Sequence, residues 1–432
     1  MDKQKQTILS VLLAGLVLAS VLMFIGLRGC QPDTPEQTAP STIPSGSIPT
    51  SPTSPTSPTV PTDPSESIPP EEPGKVVLFQ HDAALAEQWY TLAEAYTQQT
   101  GIRVTILSSG SNDCAAALSL ALEQEVAPTI FCLHDHEALA EFQQYCLDLQ
   151  ADPILEQLCR DIFVLSDENG VWGIANNIES YGLIYNASLL ARTGYTGSDI
   201  RDYASLANIA QFITKNAAML GVSAFVSPDL TSTDHGSLLC LLAGLQASDS
   251  DLRSFWDLYT ANDISGSNSI QDFLDQKAVF YLGGTWDYEA LSPLTELVEN
   301  NLQMLPVYTT SDAEDLGLYH SCTGYWCVNQ QARPADIAAS LDFLRWLVTA
   351  PEDAAAPVDS LGLLAPYKDA AYAANPLEEV VRAYLAEDLH SVDWNNCDTL
   401  TRPQLAALGK ALKAYAADPG DDTWAKVEQI WP

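Results

Sequence analysis

His134-Asp135-His136, followed by Glu137, sets two imidazoles and two carboxylates side by side. Such a set suits a divalent cation, but the stretch is not H-E-x-x-H, because Ala140 occupies the last position, and the six His of the chain supply no third cluster. Cys322 and Cys327 match no common zinc spacing, and no C-x-x-C occurs. No metal site is expected from this pattern, and no cofactor is implied. Two further chemistries are open to acidic residues in a cleft. Paired carboxylates hydrolyse glycosides, and carboxylates beside aromatics, with few cations, suit an ammonium ligand such as a polyamine. No G-x-S-x-G, P-loop or G-x-G-x-x-G supports other catalysis. The apolar run Ala278–Leu282 ends in Gly283-Gly284, and Trp286 follows almost at once, so an aromatic ring rides on a glycine turn.

These residues need elements to hold them. Val76–Phe79 reads as a strand and Ala83–Thr100 as an amphipathic helix stopped by Gly101. Ile102–Leu107, a Ser/Gly loop to Asn112, a helix over Ala115–Glu125, the strand Thr129–Leu133 and a helix through Leu149 continue the alternation. Alternating strands and helices predict a parallel sheet covered on both faces. Ligands bind such sheets at the carboxyl ends of the strands, which directs attention to Gln80–Asp82, Ser108–Asn112 and His134–His136. In the middle third, Gly170–Gly173 and Gly182–Tyr185 read as strands flanking a polar turn, Asn176–Glu179. Helices follow at Ser188–Thr193 and Ser205–Asn216, a strand at Val222–Val226, a helix at Ser237–Leu245, the segment Ser250–Ala261, the amphipathic stretch Ser269–Asp275, and the Ala278–Leu282 strand. The closing third is helical: Ala335–Thr349, Pro376–Leu385, Pro403–Ala417 and Asp421–Trp431.

The N-terminus sets the compartment. Lys3 and Lys5 precede an apolar stretch from Ile8 to Leu27, long enough to span a bilayer with its start inside. Leu27-Arg28-Gly29-Cys30 resembles a bacterial lipobox, so residues 1–30 form a signal or anchor segment. The tether is a lipid on Cys30 or an uncleaved helix, and either exposes the rest of the chain outside the cell. Residues 31–74 are about two-thirds Pro, Ser and Thr, with no Lys, Arg or aromatic residue. They form a disordered linker that reaches on the order of 130 Å as polyproline II.

Residues 75–432 hold 16 basic against 49 acidic side chains within a chain of net charge −37. That balance argues against a nucleic-acid or anionic-membrane partner, since neutralising phosphate takes Lys and Arg. The length suits two lobes better than one core. Several of the eight Cys of this region, Cys132 and Cys240 among them, sit in apolar runs, and structural thiols are the expected reading.

Three segments resemble the extracellular solute-binding proteins of ABC importers, family 1, maltose-binding-like and mostly carbohydrate-binding. They are Ala127–Asp135, Trp172–Ala175 with Glu179–Asn186, and Lys277–Asp287, whose strand enters a Gly-Gly turn with Trp at its tip. The resemblance implies a type II periplasmic-binding-protein fold of class α/β. Lobe 1 would span about 75–178 and 323–358, and lobe 2 about 182–318 and 359–432, joined by a hinge. It places ligand contacts at Asp82, Asp135, Glu179 and Trp286, with His81, Tyr181, Trp326 and Asp229 as further candidates. Carboxylates accept sugar hydroxyls and aromatic faces stack on pyranose rings; Gly283-Gly284 is expected to let a ligand approach the backbone. Cys132, His136 and Ala83 replace an aromatic, an Arg and a Lys of close relatives, which argues against maltodextrin itself. The implied role is a monomeric, non-enzymatic capture component that binds a small carbohydrate and hands it to membrane permease subunits. A polyamine-binding protein and a glycoside-acting enzyme are the rivals.

Overall fold

The computed structural model describes residues 72–109, 113–226, 248–264, 269–295, 301–309, 316–387, 389–393 and 400–431. The anchor segment, Cys30, nearly all of the linker, Asp229 and the expected helix Ser237–Leu245 lie outside the described residues. Pro70–Pro432 forms one compact unit.

Its strands join in one sheet: β1 (Val76–Gln80), β2 (Val104–Ser108), β3 (Ile130–Leu133), β4 (Val164–Asp167), β5 (Gly170–Asn186), β6 (Ser223–Val226), β7 (Asp263–Ile264), β8 (Ala278–Gly284), β9 (Leu302–Leu305), β10 (Leu316–Val328) and β11 (His390–Asp393). The order is β2-β1-β3-β10-β5-β8-β6-β7, with β11 on β10 and both β4 and β9 on β5. The sheet is mixed rather than parallel. β1 runs parallel to β2 and β3, and β6 to β7 and β8, whereas β10 is antiparallel to β3 and β5 and β5 is antiparallel to β8. Each parallel group follows from strand–helix alternation. The antiparallel centre arises because β5 and β10 traverse the sheet as single long strands, a feature that alternation does not encode.

β5 overturns the expected polar turn, since Asn176–Glu179 are strand residues inside an unbroken 17-residue run. Their polarity is met across the sheet. Asn177 Nδ2 donates to Thr323 Oγ1 at 2.9 Å, its Oδ1 accepts from the Leu364 amide at 2.8 Å, and Asn176 Nδ2 donates to Cys132 Sγ at 3.2 Å. A polar run inside a sheet is stable once its side chains are paired. The helix expected to reach Leu149 instead ends at Phe142, because the Leu147 amide bonds to the Val328 carbonyl and the Leu149 amide to the Val171 carbonyl, drawing the chain onto the sheet.

Two apolar clusters flank the crossing strands. One gathers Leu78, Trp89, Ile130, Phe142, Trp326, Phe343 and Tyr367; the other gathers Leu183, Ile209, Phe225, Trp256, Phe280, Leu408 and Trp424. The segment Val358–Leu385 packs its apolar side chains into the first cluster, and Leu400, Leu408, Leu412 and Trp424 into the second. The six described cysteines are free thiols. Among the described residues no helix is long and apolar enough to cross a membrane.

Candidate functional site

The carboxyl ends of β1 and β3 carry Gln80-His81-Asp82 and His134-Asp135-His136. β1 and β3 are neighbours, so the two tripeptides meet. The His81 and His134 rings lie edge to face, centroids 4.5 Å apart. Burial lowers the His81 pKa, and the adjacent His134 lowers it further. Asp82 Oδ1 accepts from the Ala84 amide at 2.9 Å and Asp135 Oδ1 from the Ala138 amide at 2.7 Å. Each carboxylate therefore caps the helical turn after its strand with one oxygen, the usual use of Asp at that position.

The site extends onto the crossing strands. His134 Nδ1 lies 2.9 Å from the Thr323 carbonyl on β10, and since a carbonyl only accepts, that nitrogen carries the proton. Glu179 sits two residues before Tyr181 on β5, so both side chains leave the same face of the strand. Burial raises the Glu179 pKa above the ordinary carboxylate value. Tyr181 pairs across β5–β8 with Gly284, and its ring stacks against that of Trp286, centroids 6.0 Å apart and 25° from parallel. Trp286 remains 36 % exposed. The turn is tied to the crossing: the Ser180 amide donates to Thr285 Oγ1 at 3.2 Å, and Asp287 Oδ2 accepts from the Gly284 amide at 3.0 Å.

Two expectations are corrected here. Trp326 is a core residue, 3 % exposed, its ring edge-on to Trp89 and parallel to Tyr367. It sits on β10 opposite Cys132 of β3. The glycine turn is also occupied from within. A Cβ on Gly284 would lie 2.4 Å from the Trp286 ring, and one on Gly283 would lie 2.4 Å from Asp287 Oδ2. These glycines make room for the protein's own side chains.

The histidine pair of the sequence motif is split. His136 Nε2 turns to the Ser166 carbonyl at 3.1 Å, while His134 joins His81 and Cys114, all three offering a ligand atom within 4.8 Å of the others. Cys114, Thr323 and Asn177 were not marked by the sequence, because no local pattern ties positions more than 20 residues apart to one spot. The only local sign for Cys114 is its place after a Ser/Gly loop at a strand's carboxyl end.

Two apolar cores strung on a pair of long crossing strands make the fold of the periplasmic solute-binding proteins. Solved structures share it, among them the following three. The bacterial solute receptor AcbH, described as exclusive for β-D-galactopyranose, aligns with a TM-score of 0.61 at 14 % identity over 83 % of this chain and 97 % of its own. A family 1 solute-binding protein from Alicyclobacillus acidocaldarius gives 0.64 at 15 % over 84 % and 98 %. The cyclic α-maltosyl-1,6-maltose binding protein from Arthrobacter globiformis gives 0.59 at 16 % over 83 % and 98 %. No curated protein matches the chain in sequence. The profile of the bacterial extracellular solute-binding proteins matches residues 91–380, and the chain belongs to that family. It is a binding protein of the extracellular side, and its family is not one of enzymes.

Proposed function

We propose that the protein captures a small carbohydrate between two lobes and delivers it to the permease of an ABC importer. The observation that carries this reading is the exposed Trp286 ring, stacked on Tyr181 and braced by the Gly284 turn. A rigid, supported indole is the platform on which the apolar face of a pyranose stacks. Glu179, on the same face of β5 as Tyr181, supplies a half-buried acceptor for hydroxyl groups, and the second oxygens of Asp82 and Asp135 supply others, with His81 beside them. Sugar receptors among the similar folds support the ligand class. The lobes close on β5 and β10 as hinge, so ligand that touches both lobes only when they are closed shifts the population toward closure. Cys30 or the apolar segment before it tethers the receptor, and residues 31–74 let it turn onto the permease as a monomer.

Titration calorimetry against monosaccharides and oligosaccharides, paired with small-angle scattering, tests the reading. Heat of binding with a fall in radius of gyration for a sugar is the expected result. Heat from spermidine with none from any sugar overturns the ligand class in favour of a cation. Turnover of a labelled glycoside, abolished by Glu179→Gln, overturns the transport role.

A further inference from the structure

Residues from three separate segments converge at the strand ends with donor chemistry that no sugar requires. His81 follows β1, Cys114 opens the helix Cys114–Leu122, and His134 follows β3; their ligand atoms lie within 4.8 Å of one another. The Cys114 thiol is not in a disulfide, and it borders a cavity of about 510 Å³ whose wall also holds His134, Asp135 and Cys132. We propose that His81, Cys114 and His134 bind one Zn²⁺, with the fourth position open to the cavity.

Bond lengths of roughly 2.0–2.1 Å to nitrogen and 2.3 Å to sulfur put ligand atoms about 3.3–3.6 Å apart in a tetrahedral site. The present spread exceeds that by about an ångström, a change within reach of side-chain rotation about χ1 and χ2. The His134 tautomer is already set. Its Nδ1 proton goes to the Thr323 carbonyl, leaving the lone pair on Nε2, and a backbone carbonyl is a usual outer partner of a zinc-bound imidazole. A mixed imidazole and thiolate set suits Zn²⁺ and excludes the hard cations Ca²⁺ and Mg²⁺, which take oxygen. Three protein ligands with an open fourth position is the pattern of a site that exchanges water for another oxygen ligand. Binding deprotonates the thiol, so uptake releases a proton.

The test uses the purified full chain in mild detergent, stripped by chelator and free of sugar, so that its outcome is independent of the carbohydrate reading. Zn²⁺ is titrated against a chromogenic competitor, and Co²⁺ serves as the spectroscopic probe. The expected result is one equivalent of Zn²⁺ and a sulfur-to-cobalt charge-transfer band in the near ultraviolet. Cys114→Ser should abolish the band, and Cys114→Ser, His81→Gln and His134→Gln should each weaken Zn²⁺ at least tenfold. His136→Ala, whose ring points to Ser166, should change nothing. Circular dichroism of each variant checks that it folds, and the cobalt band reports the thiolate directly. Absence of stoichiometric Zn²⁺, or full retention of Zn²⁺ and the band in Cys114→Ser, overturns the proposal.

Discussion

Ser180 Oγ and His320 Nδ1 lie 2.6 Å apart, one on each of the two strands that cross the sheet. Both residues are buried, and Phe163 packs edge-on against the imidazole. Burial, with Arg160 adding to it, pushes the His320 pKa down to about 3. A neutral histidine is thus built into the crossing.

That histidine makes stability pH-dependent with a defined sign. In the unfolded chain it binds a proton near pH 6.5, whereas the folded protein refuses one down to about 3. The stabilisation is complete above pH 6.5 and declines as pH falls between those two values. From neutral pH to about pH 5 the wild type should lose about 2 kcal/mol more than His320→Gln, which keeps an acceptor for Ser180. Denaturant titrations at both pH values measure it; parallel losses in the two proteins would show that the proton is taken up elsewhere.

Trp286→Ala should weaken sugar binding at least tenfold, about 1.4 kcal/mol, and leave the melting temperature nearly unchanged because the ring is partly exposed. Gly284→Ala should reproduce the affinity loss, since its new methyl group would meet the Trp286 ring and displace it. Relief of that overlap costs about 1–3 kcal/mol of stability. Unchanged affinity in both variants would remove Trp286 from the site.

Trp326→Ala should behave oppositely. Emptying a ring site packed between Trp89 and Tyr367 costs about 3–5 kcal/mol of folding free energy, with ligand affinity per folded molecule preserved. Calorimetric unfolding and binding on the same sample separate the two effects. A variant that keeps its stability but loses ligand would return Trp326 to the binding surface.

Glu179 gives binding its own pH dependence. Its pKa is raised by burial, so the ionised acceptor is lost on acidification sooner than that of an exposed glutamate. Affinity should fall as pH drops through that raised value, and Glu179→Gln should flatten the profile while lowering affinity at neutral pH. An identical slope in the variant would assign the titration to another group.

The chain order of strands and helices is local information, and the sequence carried it. Apolar periodicity, Gly101 after its helix and Pro376 at the head of its own marked most elements to within a few residues. The motif Lys277–Asp287, with its Trp on a glycine turn, pointed to the family that the matched profile confirms. What the sequence left open is what depends on pairing across long separations. The run Asn176–Glu179 looked like a turn because polar residues usually leave a sheet; only the bonds to Thr323, Leu364 and Cys132 make a strand of it. Trp326 and Trp286 are alike in sequence, each near a glycine, yet one is sealed between Trp89 and Tyr367 and the other stands on a turn. Burial is a property of neighbours supplied by distant segments. The same reason hid the meeting of His81, Cys114 and His134: each is unremarkable in its own segment, and only the adjacency of β1 and β3, with the helix that begins at Cys114, brings their donor atoms to one point.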